Sequence, residues 1–378
     1  MSARATRGNA DESKTPALPA KNWRRVVMLK HNAKISKCKN EFLRLDLSRS
    51  QILSFRRRAG SLDERLPPGP RSLRRAAWAG LQDSMPRAAL LSIHARVAGA
   101  SSAIWEHSSL VQLWGPRFSA YVVAAQDLPI FSLGRLPDDA ARRNRAHHTA
   151  SRLHAFLEGR RMSFGEAGHA LRVNPNSLRY AAPTGTLVMR WDGARKPVVW
   201  TVPASGMDPR AARIELARRY LHIFGPATAA SFAKWAGIRP REARAAFDSL
   251  LNALTPVRTP VGDAWILAED VPEFRSKSGA PAPARLLPSG DTYYLFWGAD
   301  RQLLLPDAKQ RAALWTTRVW PGALLVAGEI AGVWRRSAAE VSIETWRRLS
   351  PQERQAVEAE AQSLPLPDLN SSVTVRWL

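Results

Sequence analysis

Gly80-Leu81-Gln82-Asp83-Ser84-Met85-Pro86 is the densest part of a stretch, Trp78 to Tyr121, around which the chain is organised. It opens a helical pattern. Pro86 suits a first helical turn, where its missing N–H would be unpaired anyway, and apolar residues follow at Leu90, Leu91 and Ile93 up to Val97. The stretch also sets an uncharged amide, Gln82, beside the Asp83 carboxylate and the Ser84 hydroxyl, with Arg87 and Arg96 behind them. Its second half, Leu113-Trp114-Gly115-Pro116-Arg117-Phe118-Ser119-Ala120-Tyr121, reads as a strand returning beneath that helix. Residues 110–124 are rich in Val, Leu, Trp and Tyr, and Gly115-Pro116 between their halves predicts a hairpin.

Working outward, Ser48 is placed to cap a helix carrying Ile52, Leu53 and Phe55. Pro67-Pro68-Gly69-Pro70 then breaks the chain before a second helix through Leu73, Ala76, Ala77 and Leu81. Three helices followed by a hairpin is a winged helix. The order recurs with helices over 142–157 and 163–171, a third helix from Asn174, and strands flanking an Asp192-Gly193 turn. After a linker at 203–207, Asp208-Pro209 caps a third round: helices over 211–224, 228–236 and 240–254, then a hairpin from Val257 to Leu267 turning at Gly262-Asp263. Repetition of one supersecondary unit is stronger evidence than any single copy. Beyond a Ser/Pro/Ala-rich connector, 286–305 and 323–334 read as strands, 345–364 as a helix and 372–378 as a closing strand. The expected fold is α+β, three tandem winged-helix modules (48–135, 136–205 and 206–275) with a C-terminal β-rich module (281–378). A disordered basic arm (1–47) precedes them.

Charge points to a partner. Lys and Arg number 56 against 32 Asp and Glu, a net of +24. Residues 1–66 carry 16 basic and 6 acidic side chains, residues 67–280 carry 29 and 16, and residues 281–378 carry 11 and 10. A surplus of this kind attracts polyanions because neutralised phosphates release counterions. Duplex DNA is the leading partner and a membrane surface the second. Cys38 is the single cysteine, which excludes an internal disulfide and fits a reducing compartment. No apolar run approaches the ~18 residues of a spanning helix and the N-terminus lacks a signal-peptide core, so a cytoplasmic, nucleoid-associated protein is expected. His147, His148 and His154 lack companions at metal-ligand spacing, and no phosphate loop or dinucleotide fingerprint is present. No metal and no cofactor are expected. No obligate protein partner is signalled, and a monomer is expected.

The pairing of Gly80-Leu81-Gln82 with Trp114-x-x-Arg117-x-Ser119-x-Tyr121 resembles the first winged-helix module of the AlkZ-type DNA glycosylases, which excise bulky alkylated purines. The resemblance covers about residues 48 to 378. Leu287-Pro288-Ser289-Gly290-Asp291-Thr292-Tyr293 is similar to that family's Leu-Pro-x-Phe-Asp-x-Tyr, and Gly328 to Trp334 to its Gly-x-x-x-Gly-x-Trp strand. For Asp291, a turn-capping role is preferred to one facing a DNA cleft. The resemblance implies that Gln82, with Asp83 or Ser84, holds the water that attacks the sugar carbon, where the family reads Gln-x-Gln or Gln-x-Asp. Ser84 departs from that pattern, and Asp83 stands one residue early, about 100° around a helix. Phe118 and Tyr121 replace the family's Gly and His. On spacing alone, Gln82 and Asp83 also fit a polar helix edge.

The expected DNA contacts are Arg87, Arg96, Arg117, Arg179, Arg190, Lys196, Arg239, Arg241 and Arg244. They lie on third helices and hairpins, which enter or flank grooves in winged helices. Singly, each is also an ordinary solvated cation. Two functions follow: a monofunctional glycosylase, or a non-catalytic DNA-binding protein acting as a damage reader or transcriptional regulator.

Overall fold

In the computed structural model, described over residues 44–85, 87–191, 196–276, 279–366 and 372–378, helices and hairpins alternate as local chemistry dictates. The first round contains β1 (Leu45–Asp46), α1 (Arg49–Ala59), α2 (Pro70–Ala76), β2 (Leu81–Gln82), α3 (Ala88–Arg96), β3 (Leu110–Trp114) and β4 (Ala120–Ala124). A short α4 (Leu128–Leu133) leads to the second: α5 (Ala140–Leu157), β5 (Met162–Ser163), α6 (Phe164–Ala170), a 3-10 helix (Pro175–Thr184), β6 (Leu187–Arg190) and β7 (Val198–Thr201). The third has α7 (Pro209–Phe224), α8 (Ala229–Ala236), α9 (Pro240–Ser249), β8 (Leu254–Thr259), β9 (Gly262–Leu267) and α10 (Val271–Arg275). The C-terminal part holds β10 (Ala284–Leu287), α11 (Asp300–Leu304), α12 (Ala308–Leu314), β11 (Gly322–Val326), β12 (Glu329–Ser337), β13 (Glu340–Thr345), α13 (Pro351–Gln362) and β14 (Thr374–Trp377). Leu45–Leu378 make one compact unit, a mixed α+β fold.

The caps follow the sequence. The Ser48 hydroxyl accepts from the Gln51 N–H while the Gln51 side chain accepts from the Ser48 N–H, the reciprocal box that satisfies two orphan donors. At α7 and α8 the cap is one-way, the Asp208 and Thr228 side chains accepting from the Ala211 and Ser231 N–H groups, and Gly237, at φ +71°, ends α8.

Several expectations are corrected. Residues 1–43 of the expected arm lie outside the described residues, as do Pro86 and the Asp192-Gly193 turn. Leu45–Asp46 form β1, pairing in parallel with β8. The second helix stops at Ala76, because Gly80 at φ +72° turns the chain out of the helix. Leu81 and Gln82 then pair with Val122 and Tyr121 as β2. The third helix of the second round is a 3-10 helix containing Pro183, a residue that cannot donate an i→i−4 bond. The third hairpin turns at Pro260-Val261, with Thr259 opposite Gly262, so Gly262-Asp263 begins β9. The expected strand over 286–305 ends at Leu287 before Pro288, and residues 292–294 form a 3-10 turn. Ala327-Gly328, both at positive φ, divide 323–334 into β11 and β12. The last long helix begins at Pro351, behind a Ser350–Glu353 capping box.

Packing crosses the rounds. The hairpins of the first two share one sheet, ordered β2-β4-β3-β6-β7-β5. Helix α1 serves the third round: Phe55 stacks on Phe274 at 3.8 Å, and the buried Arg56 guanidinium donates to the Phe224 and Gly225 carbonyls. The C-terminal sheet runs β10-β11-β12-β13-β14. Among the described residues no helix is long and apolar enough to cross a membrane.

Candidate active site

Strand β2 delivers Gln82 to the seam between the first hairpin and the C-terminal part. The Gln82 Oε1 accepts from Arg117 Nη2 at 3.0 Å and from the Tyr121 hydroxyl at 3.5 Å. Its Nε2 donates to Ser84 Oγ at 3.1 Å. Gln82 is half-buried and Ser84 exposed. Gly290, at φ +77°, closes over the amide; a Cβ there would crowd Gln82 Nε2 at 3.1 Å, and the positive φ itself favours glycine. Burial pushes the Tyr121 phenol up, partly offset by the Arg117 and Arg135 charges, so it remains a hydroxyl donor. Across the loop, buried Arg135 donates to the Trp114 and Ala236 carbonyls, and burial pushes its pKa down to about 9.

Asp83 does not share this mouth. The chain is extended here, with the Asp83 N–H donating to the Ala120 carbonyl at 2.8 Å, and successive side chains of an extended segment point to opposite faces. The Asp83 carboxylate is fully buried. It accepts from the Ala89 N–H at 3.0 Å and from Gln112 Nε2 at 2.5 Å, and Gln112 Oε1 accepts from the Trp191 N–H at 2.5 Å. Burial pushes its pKa up to about 8, against the lowering effect of those two hydrogen bonds and of Arg190 and Arg87. Asp83 therefore anchors the start of α3 and is withdrawn as a water-holding residue. The polar helix edge is also corrected, because Gln82 stands on a strand.

The expected DNA contacts divide. Arg96 is 1% exposed and forms a bidentate ion pair with buried Asp291, at 2.7 Å for each hydrogen bond. It is an internal strut with no surface to offer DNA. Asp291 also accepts from the Tyr293 N–H at 2.9 Å, so it caps the expected turn. Arg87 and Arg190 both lie over the Trp105 ring, at 5.6 and 4.5 Å, and Arg190 pairs with Glu106. Arg179 is held by the Asn176 carbonyl and side chain. Arg239 stands 3.7 Å from Asp139. Lys196, Arg241 and Arg244 are exposed, as are His147, His148 and His154.

The sequence reading missed Trp297, whose ring lies 4.2 Å from the Arg117 guanidinium, and the closeness of Gly290. The Gly290-Asp291 pair in the motif was the available signal. Beyond Met85 and Ser289 a groove of ≈ 360 Å³ is lined by Leu91, Trp320, Trp334, Arg335 and Arg336 among others.

No curated protein sequence matches the chain. The solved structure of the DNA glycosylase AlkZ of Streptomyces sahachiroi is similar in fold, with a TM-score of 0.71 at 17% identity, covering 88% of this chain and 100% of that one. A family model described as DNA glycosylase AlkZ-like matches residues 75–365, which contain Gln82, Ser84, Arg117, Gly290 and Trp297. The chain therefore belongs to the AlkZ-like DNA glycosylase family.

Proposed function

We propose that the protein is a monofunctional DNA glycosylase that hydrolyses the N-glycosidic bond of alkylated purines in duplex DNA. Three winged-helix modules would present the duplex to the Gln82 cleft, and the C-terminal module would close it through Gly290 and Trp297. The observation that carries this reading is the fixed amide. The Gln82 oxygen accepts from Arg117 at 3.0 Å, with the Tyr121 hydroxyl at 3.5 Å beside it, so its N–H group faces Ser84. A water at the mouth accepts from Nε2 and donates to the Ser84 hydroxyl oxygen. Its oxygen forms the bond to the sugar C1′ as the bond to the purine nitrogen breaks. The electron pair neutralises the cationic alkylated base, and the water's proton leaves to solvent. Because such a base departs readily, positioning supplies most of what is needed.

One observation favours the non-catalytic DNA-binding reading: the carboxylate of the 82–84 triplet is buried. A single-turnover assay on duplex DNA with one N7-methylguanine separates the two. The glycosylase reading expects release above the spontaneous rate, lowered by Gln82→Ala at least about tenfold. Tight binding with no release above the spontaneous rate refutes it.

A further inference from the structure

Arg117 is built into its place more firmly than a phosphate anchor requires. Its backbone and that of Phe118 are both left-handed, at φ 54° and 57°, a strained pairing for residues with a Cβ that clusters at functional sites. Two elements pack against it. Gly237 approaches so closely that a Cβ there would come within 3.0 Å of the Arg117 N and Cα, and the Arg135 guanidinium sits 5.0 Å from the Phe118 ring. The Arg117 guanidinium lies on Trp297 and donates to Gln82, yet its buried Nη1 has no hydrogen-bond partner among the described residues. An unpaired buried donor lowers stability, so stability does not account for the arrangement. What it does determine is which end of the Gln82 amide faces inward, since a guanidinium can only donate.

We propose that Arg117 is a positioning residue that locks Gln82 with its oxygen inward, leaving the Nε2 donor beside Ser84 to hold the attacking water. The role is distinct from the phosphate anchoring expected of this arginine, and it rests on the glycosylase reading for the identity of the reaction.

The test uses the full-length protein and the N7-methylguanine duplex. Arg117→Ala should lower release at saturating protein at least about tenfold, with affinity for undamaged duplex changed less than about threefold. Arg117→Lys, which keeps a donor but loses the fork and the stack, should recover part of the rate. Gln82→Ala combined with Arg117→Ala should be no slower than Gln82→Ala alone, because the two act as one unit. A second readout is independent of catalysis: the side-chain amide resonances of Gln82, assigned by their loss in Gln82→Ala. They should be shifted and slow to exchange in the wild type, and in Arg117→Ala they should join those of exposed glutamines. Unchanged resonances, multiplicative losses in the double variant, or an effect confined to affinity would each overturn the proposal. If the wild type releases no base, the glycosylase reading falls, and the resonances still decide whether Arg117 positions Gln82.

Discussion

Removing the Asp291 charge alone should be among the most damaging single changes in the molecule. Asp291 and Arg96 are 0% and 2% exposed in their side chains and share two hydrogen bonds of 2.7 Å. The Ser92 hydroxyl adds a third contact to the carboxylate at 2.6 Å, and Arg96 reaches Thr292 at 3.0 Å. Asp291→Asn preserves the shape and leaves the Arg96 cation buried without its counter-charge. Breaking a buried pair in this way costs about 3–5 kcal/mol, whereas replacing both partners is often close to neutral. Arg96→Met should therefore destabilise by a similar amount, and Arg96→Met with Asp291→Asn by less than either single change. Urea unfolding with an unchanged m-value reads all three. The same variants test the reassignment of Arg96. As an internal residue it leaves the salt dependence of DNA affinity unchanged in Arg96→Met, where a lost phosphate contact lowers the slope by about 0.9. Additive losses in the double variant, or a reduced slope in Arg96→Met, would refute the reasoning.

Two further outcomes follow from the buried and exposed charges. The Asp83 carboxyl is raised from 3.8 to about 8 in the folded protein, so the stability it contributes is full below pH 4 and is lost as pH rises through 8; Asp83→Asn should flatten this fall, seen as urea midpoints at pH 5 and pH 8.5 that differ less than in the wild type. Exposed Arg241 and Arg244, at the start of α9, should each reduce the salt slope of duplex binding by about 0.9 when changed to alanine, if each meets a phosphate, while urea stability stays within about 0.5 kcal/mol; an unchanged slope in the double variant removes this helix from the DNA interface.

What the sequence made legible was local. Ser48, Asp208 and Thr228 bond donors within three residues of themselves, so their spacing alone announces a helix start. The Gln82 strand was not legible because its partner, Tyr121, lies across the whole of α3 and β3. The same long-range dependence hid which arginines are free. Arg56, Arg135 and Arg213 are buried and donate to backbone carbonyls, while Arg96 and Arg219 are buried against Asp291 and Asp127. Guanidinium is weakly hydrated and carries five donors, which lets it tie helices and turns together inside the fold. A count of basic residues therefore overstates the positive surface presented to DNA, most of all over 67–280, where four of these five lie. The electrostatic case for DNA binding rests on the exposed remainder, with Lys196, Arg241 and Arg244 the members already singled out by the repeat.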